Sequence, residues 1–257
     1  MPIDFLNETE LSGDSVTQEQ VDRLCHRYYW ASAHCHNKDV LEVACGTGQG
    51  AGFLSSMAKS YQAGDYSDKI LERARHHYGA RIDFKQFDAQ ELPFPDRSFD
   101  VVIMFEAIYY IPSADNFVAE CRRVLRPGGK VLIATANKDL YDFNPSPHST
   151  TYFGVTEMEN LFNAHGFITE FFGSTPIAKV SWRQRITRPL KKIVVSLGFM
   201  PKSKTGKQVL KRLVFGRLVT LPAEITGKMT LYNEPACLPA SAPDRLYKVI
   251  YCVASLY

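Results

Sequence analysis

Apolar and polar positions along this chain alternate between two periods. Val40, Leu41 and Val43 form a brief apolar run ending in Cys45-Gly46-Thr47-Gly48, and Gly50, Ala51, Phe53, Leu54 and Met57 then open a helical pattern. Tyr61 to Gly64 reads as a second short strand, followed by a helix through Ile70, Leu71 and Ala74 with Ser67 as its N-cap. Ile82, Phe84 and Gln86 alternate as a third strand. Phe99 to Phe105 is a mostly apolar run, the pattern of a central parallel strand covered on both faces. Phe117, Val118, Cys121, Val124 and Leu125 mark one apolar helical stripe, which stops at Arg126-Pro127-Gly128-Gly129. Val131 to Ile133 gives a fifth strand, Thr156 to His165 a helix, Phe167 to Phe172 a sixth strand, and Arg245 to Leu256 a last alternating strand. An N-terminal helix from Thr17 to Ala33 carries Tyr28, Tyr29 and Trp30, which either pack on the domain or roof a ligand pocket. Strand alternating with helix predicts an open, mostly parallel sheet.

Composition adds little until charge is followed along the chain. The 257 residues are 45% hydrophobic and 22% charged, values of an ordinary globular chain with one large α/β domain. The six cysteines are scattered without a CxxC pair, which predicts free thiols in a reducing cytoplasm. The Cys25-His26 and His34-Cys35-His36 groups do not have metal-ligand spacing, so no metal site is expected. The polar, acidic first residues are not those of a secretory signal, and no apolar run approaches the ~20 residues of a membrane span. The charge, however, is segregated. Between Pro176 and Thr230 stand thirteen lysines and arginines against the single acid Glu224, a net +12, which leaves −9 for the rest of a chain whose total is +3.

A strand, a glycine turn and a helix in sequence bring backbone N–H groups to a ligand with no side chain between. Asp65, at the end of the second strand and about 20 residues past the turn, stands where a doubly wound fold hydrogen-bonds a ribose diol. Asp88 closes the third strand.

The four stretches LEVACGTG, GDYS, FDAQELPFPDRSFDVV and LRPGGKVLI, in this order, resemble the class I S-adenosylmethionine-dependent methyltransferases. The likeness runs from about Tyr28 to Phe172 and takes in the final strand; it is nearest the small-molecule branch, which includes quinone C-methyltransferases and many sugar and natural-product O-methyltransferases. The resemblance implies a Rossmann-like, doubly wound, seven-stranded, mostly parallel α/β sheet with its last strand antiparallel. It implies S-adenosylmethionine as cofactor, with the methionine part against Gly46 and Gly48, the ribose on Asp65, and the adenine amino group facing Asp88 and Ala89. Phe105 or Glu106 would line the cofactor, and Glu42, Ala44, Thr47, Tyr66 and Tyr28 complete the implied cofactor set. Ala44 replaces the first glycine of the commonest motif, and Tyr109-Tyr110 stands where many quinone-type relatives carry a histidine.

The expected activity is methyl transfer to a small-molecule, lipid-linked or glycan-linked acceptor, most simply at oxygen. Quinone-type or natural-product C- or N-methylation and a non-catalytic cofactor-binding module are the alternatives. For a hydroxyl acceptor the first general-base candidate is His148, in the NPSPHS loop after the fifth strand, with Glu106 and Tyr152 next. On this reading residues 1–174 and 244–257 form the methyltransferase domain, and residues 175–243 form a basic helical cap inserted before the last strand. Its two helical patterns are Ile186 to Leu197 and Val209 to Leu221. The basic faces, residues 179–221, are either solvated, or meet an anionic membrane at its inner face, or grip an anionic soluble substrate or RNA. Nucleic acid is the least favoured, because the segment lacks interleaved aromatic residues.

Overall fold

The computed structural model describes residues 11–177 and 218–257. In chain order they form β1 (Ser15–Val16), α1 (Gln18–Cys35), β2 (Asp39–Val43), α2 (Ala51–Ser55), β3 (Ser60–Asp65), α3 (Asp68–Tyr78), β4 (Phe84–Gln86), β5 (Phe99–Phe105), α4 (Ala114–Val124), β6 (Leu125–Ala136), α5 (Val155–Ala164), β7 (Phe167–Pro176), β8 (Val219–Thr220), β9 (Ala236–Leu238) and β10 (Tyr247–Leu256).

One sheet organises the domain, with spatial order β4-β3-β2-β5-β6-β10-β7-β9. Strands β4, β3, β2, β5 and β6 are mutually parallel. As expected, β10 runs antiparallel to both of its neighbours, β6 and β7. Among the described residues the sheet has eight strands rather than seven, because Ala236–Leu238 adds an antiparallel edge on β7. This strand is too short to show a period, and Pro235 and Pro239 flank it. A separate ribbon pairs β1 with β8.

Alternation along the central strands divides the core by face. Leu41 and Val43 of β2, with Val102 and Met104 of β5, pack with α4 and α5. Val40, Val101 and Ile103 face the other way, onto α1. Phe117, Val118, Cys121 and Val124 of α4 are all fully buried, one stripe at helical spacing. The helix α1 is held at its start by a capping box between Thr17 and Gln20. Its Trp30 stacks on Tyr251 at 4.6 Å between centroids.

The described part of the inserted segment is not helical. Leu218 to Leu221, read from sequence as the end of a helix, is extended: Val219–Thr220 pairs with Ser15–Val16, and Leu221 is buried. Pairing with a strand about 200 residues earlier overrides the local helical period. Beyond it the chain is strapped onto the domain. Ile225 N donates to the Gln49 carbonyl at 2.8 Å, and the Tyr29 hydroxyl donates to the Thr226 carbonyl at 2.6 Å. Glu224 pairs with Arg81 and His77, each at 2.9 Å. The helix expected at Ile186 to Leu197, and residues 209–217 of the second, lie outside the described residues. Among the described residues, no helix is long and apolar enough to cross a membrane.

Candidate active site

The carboxyl ends of the five parallel strands open into a cavity of about 650 Å³, within the usual range for small-ligand sites. Along its rim, in spatial order, stand Asp88 after β4, Asp65 ending β3, Ala44 to Gly46 after β2, Glu106 after β5 and Ala136 ending β6. With strands about 4.8 Å apart, this rim is about 19 Å long.

The turn after β2 is built from left-handed backbone: φ is 55° at Ala44, 58° at Gly46 and 72° at Gly48. Glycine adopts this region freely, whereas an L side chain there costs about 1–2 kcal/mol. Ala44 therefore carries strain at the position where the commonest motif has glycine. Ala44→Gly should recover that strain less the ~0.5–1 kcal/mol entropic cost of a glycine. The net gain is up to about 1.5 kcal/mol, read as a rise in Tm of up to about 3–6 °C. Gly50, at the start of α2, is required for a different reason: a Cβ there would lie 1.9 Å from the ring of Tyr28.

Asp65 pins the turn. Its Oδ2 accepts from Gly46 N and its Oδ1 from Ser67 N, both at 2.9 Å. Burial pushes its carboxyl above the usual aspartate value, and the N–H donors oppose that shift. A carboxylate has about four acceptor sites, so these two bonds leave capacity for a ligand diol. Ser67 occupies the N-cap position of α3, but its hydroxyl makes no capping bond. Asp88 accepts from Gln90 N at 2.8 Å and lines the cavity between Phe87 and Ala89.

Of the residues implied by sequence, Tyr28, Ala44, Gly46, Asp65, Tyr66, Asp88, Ala89, Phe105 and Glu106 line this one cavity. Glu42, Thr47 and Gly48 do not; Glu42 and the Gly48 carbonyl are bonded behind the turn. Glu42 is 2% exposed. Its carboxylate accepts from the Tyr28 hydroxyl at 2.5 Å and from the Tyr61 hydroxyl. Burial raises its pKa, opposed by those two donors and by Arg27. The Gly48 carbonyl accepts from the Tyr78 hydroxyl at 2.7 Å, and Thr47 is buried.

The three general-base candidates separate. His148 is exposed and lies outside the cavity lining. The cavity is reached instead by Ser146, bonded to the Tyr110 hydroxyl at 2.7 Å, while Pro147 and the left-handed His148, φ 68°, carry the histidine outward. Tyr152 does not line the cavity either. Its ring stacks on Tyr109 at 4.3 Å, and its hydroxyl accepts from Ser146 N at 3.1 Å, so it supports the wall from outside. Glu106 is in the wall, on left-handed backbone with φ 52°. The Tyr109 hydroxyl donates to its Oε2 at 3.2 Å, and Arg27 Nη1 lies 3.7 Å from its Oε1. Burial, with Glu106 beside it, pushes the Tyr109 phenol far up, so it remains a neutral donor.

Gln20, Arg23, Leu24 and Arg27 of α1 were not singled out from sequence as cavity residues, although Tyr28 beside them was. Gln20, Arg23, Leu24, Arg27 and Tyr28 all line the cavity, at spacings of three and four residues that put them on one helical face. The N-terminal helix therefore roofs the pocket as well as packing on the domain. Leu221, from the strap, completes the lining.

The lining fits S-adenosylmethionine. It offers one carboxylate for a ribose diol, a second for an aminopurine edge, small or apolar side chains between them, and a tight backbone turn free of large side chains. Comparisons with known proteins agree. Residues 41–133 match the family model for a methyltransferase domain. A probable S-adenosylmethionine-dependent methyltransferase of Mycolicibacterium smegmatis is 36% identical over 152 residues, covering 58% of this chain and 56% of that protein. A fatty-acid O-methyltransferase of the same organism is 43% identical over 112 residues, covering 41% of this chain and 40% of that one. The chain thus spans about half the length of the curated relatives it matches. Among solved structures, the YcgJ protein of Bacillus subtilis superposes with a TM-score of 0.56 at 20% identity, covering 90% of this chain and 98% of that one, which is a likeness of fold. The sheet order, the turn and the paired carboxylates define a Rossmann-like nucleotide-binding domain. With these matches, residues 41–133 are similar to a methyltransferase domain, within a fold like that of the solved methyltransferase structures.

Proposed function

We propose that the chain transfers a methyl group from S-adenosylmethionine to an oxygen of an acceptor with a lipid-like apolar body, and that Glu106 is the general base when that oxygen is a hydroxyl. The observation that carries this reading is the single cavity in which Asp65 and Asp88 occupy the β3–β4 sector and Glu106 the β5 sector. S-adenosylmethionine bound there supplies an electrophilic methyl group on a positively charged sulfur. The chain's own residues then have three tasks. Asp65, Asp88 and the turn at Gly46 orient the cofactor. Aromatic and aliphatic side chains from α1, the Tyr109 to Pro112 segment and Leu221 exclude water. Glu106, held by Tyr109 and Arg27, receives the proton that leaves a hydroxyl acceptor. Alignment of this kind can lower a barrier by roughly 7–11 kcal/mol, and a positioned base adds roughly 10²–10⁴-fold. The mainly apolar lining, and the similarity to a relative named as a fatty-acid O-methyltransferase, support a lipid-related acceptor.

The test is transfer of labelled methyl to an extract and then to isolated lipid fractions. Glu106→Gln should lower turnover on a hydroxyl acceptor by about 10² or more, with S-adenosylhomocysteine affinity little changed. His148→Ala should leave turnover within about twofold. The reverse ranking would return the base to the NPSPHS loop. The basic segment most readily serves to bring the enzyme to an anionic lipid surface. Full-length protein should therefore sediment with phosphatidylglycerol vesicles at low salt and be released by salt within the range that screens surface charge.

A further inference from the structure

We infer that Gln90 is a positioning residue whose side-chain amide holds Asp88 as an acceptor-only carboxylate, so that the nucleoside end of the cavity selects a 6-amino over a 6-oxo purine. This rests on the methyltransferase reading above and adds what enforces the choice of base at the cofactor site.

An aspartate alone does not enforce that choice. A carboxyl group that takes up a proton becomes a donor, and one that turns about its last bond presents either oxygen. Gln90 removes both freedoms. Its backbone N–H donates to Asp88 Oδ1 at 2.8 Å, and its side-chain Nε2 lies 3.2 Å from Oδ1 and 3.3 Å from Oδ2. The far end of the amide fixes which way it points. Gln90 Oε1 accepts from the Ser113 backbone N–H at 2.9 Å. A backbone N–H can only donate, so the amide oxygen faces Ser113 and the NH2 faces Asp88. Both carboxylate oxygens therefore accept from Gln90, and a lone pair is what Asp88 has left for a ligand.

The anchor for this arrangement is rigid. Ser113 is the N-cap of α4, its side chain accepting from Asn116 N, and Phe117, Val118 and Cys121 of that helix are fully buried. The same loop is tied to α4 twice more. Leu92 N donates to Glu120 at 2.7 Å, and the Arg123 guanidinium donates to the Leu92 and Phe94 carbonyls. Asp88, Ala89 and Gln90 line the cavity together. A purine amino group there meets a waiting acceptor. A 6-oxo group loses that bond and sets oxygen against oxygen, and a site built to receive a donor rejects the analogue that lacks it.

The experiment measures by calorimetry the binding of S-adenosylhomocysteine and of its 6-oxo analogue, S-inosylhomocysteine, to the full-length protein. The wild type should prefer the amino compound by more than about tenfold. Gln90→Glu keeps an oxygen for Ser113 N–H but turns a carboxylate toward Asp88, and its preference should fall to within about threefold. Gln90→Met keeps the length and loses both bonds, with the same expected fall; either variant decides should the other fail to fold. A residue that merely held the loop would weaken both compounds alike and leave their ratio unchanged. An unchanged ratio in the Gln90 variants, or no preference in the wild type, would overturn the inference. Asp88→Asn separates it from the reading beneath it. Loss of the preference in Asp88→Asn but not in the Gln90 variants would leave the cofactor site standing and remove the role of Gln90. Binding of neither compound would remove the cofactor site and the inference with it.

Discussion

Asp65→Ala is expected to weaken S-adenosylhomocysteine binding by about two orders of magnitude. The carboxylate makes charge-assisted hydrogen bonds, worth ~1.5–3 kcal/mol each, and a hundredfold loss corresponds to ~2.7 kcal/mol. The same substitution removes the acceptor of Gly46 N and Ser67 N, both bonded to Asp65 at 2.9 Å. The turn at Gly46 therefore loosens together with the proposed ribose contact. Asp88→Ala should cost about tenfold, because Asp88 is only half-buried and holds the Gln90 backbone rather than the turn. Calorimetric titration of both variants separates the two effects. Wild-type affinity in Asp65→Ala would remove the cofactor from the β3 edge.

The largest loss of stability should come from a residue that lines no cavity. Glu42→Ala leaves the Tyr28 and Tyr61 hydroxyls without the carboxylate that joins them and opens a void beneath β2. Each stranded buried hydroxyl costs about 1–3 kcal/mol, and with the void the expected total is about 3–5 kcal/mol, measured by urea unfolding. Because Tyr28 packs against Gly50, cofactor affinity should fall with it. Glu42→Gln keeps the shape and one acceptor, and should cost much less. Burial raises the Glu42 pKa in the folded state. The stability it contributes is therefore fully present below the unfolded glutamate pKa, near 4.3, and is lost as pH rises through the folded value. Glutamine does not titrate, so Glu42→Gln should gain on the wild type as pH is raised through that range.

Much of the site was legible because its chemistry is local. LEVACGTG carries its strand, turn and helix within a dozen residues, and Asp65 and Asp88 sit at strand ends that alternation and flanking turn residues mark. What escaped depended on distant contacts. The apolar spacing of α1 shows which face packs on the sheet, through Val21, Leu24, Cys25 and Tyr28. It does not show that the adjoining Arg23–Arg27 face closes over a cavity together with Leu221 and Glu106. The polar repeat Gln20, Arg23, Arg27 was the available signal. His148 seemed apt by residue type and by its place after the fifth strand. Its orientation was decided by Pro147 and by the bond between Ser146 and Tyr110, which no spacing rule encodes.

The sequence alone determined the alternation of strand and helix, the tight turn after β2 and the placing of Asp65 and Asp88 at strand ends, since each follows from a period or a turn within a few residues; the antiparallel last strand came from the family resemblance. Tertiary structure decided which of the three general-base candidates lines the cavity, which face of α1 roofs it, and that Leu218 to Leu221 is extended rather than helical. Those outcomes rest on contacts such as Tyr29 to Thr226, 197 residues apart, or Ser15 to Thr220. The free energy of such pairs depends on where the folded sheet brings the chain, and no local pattern records it.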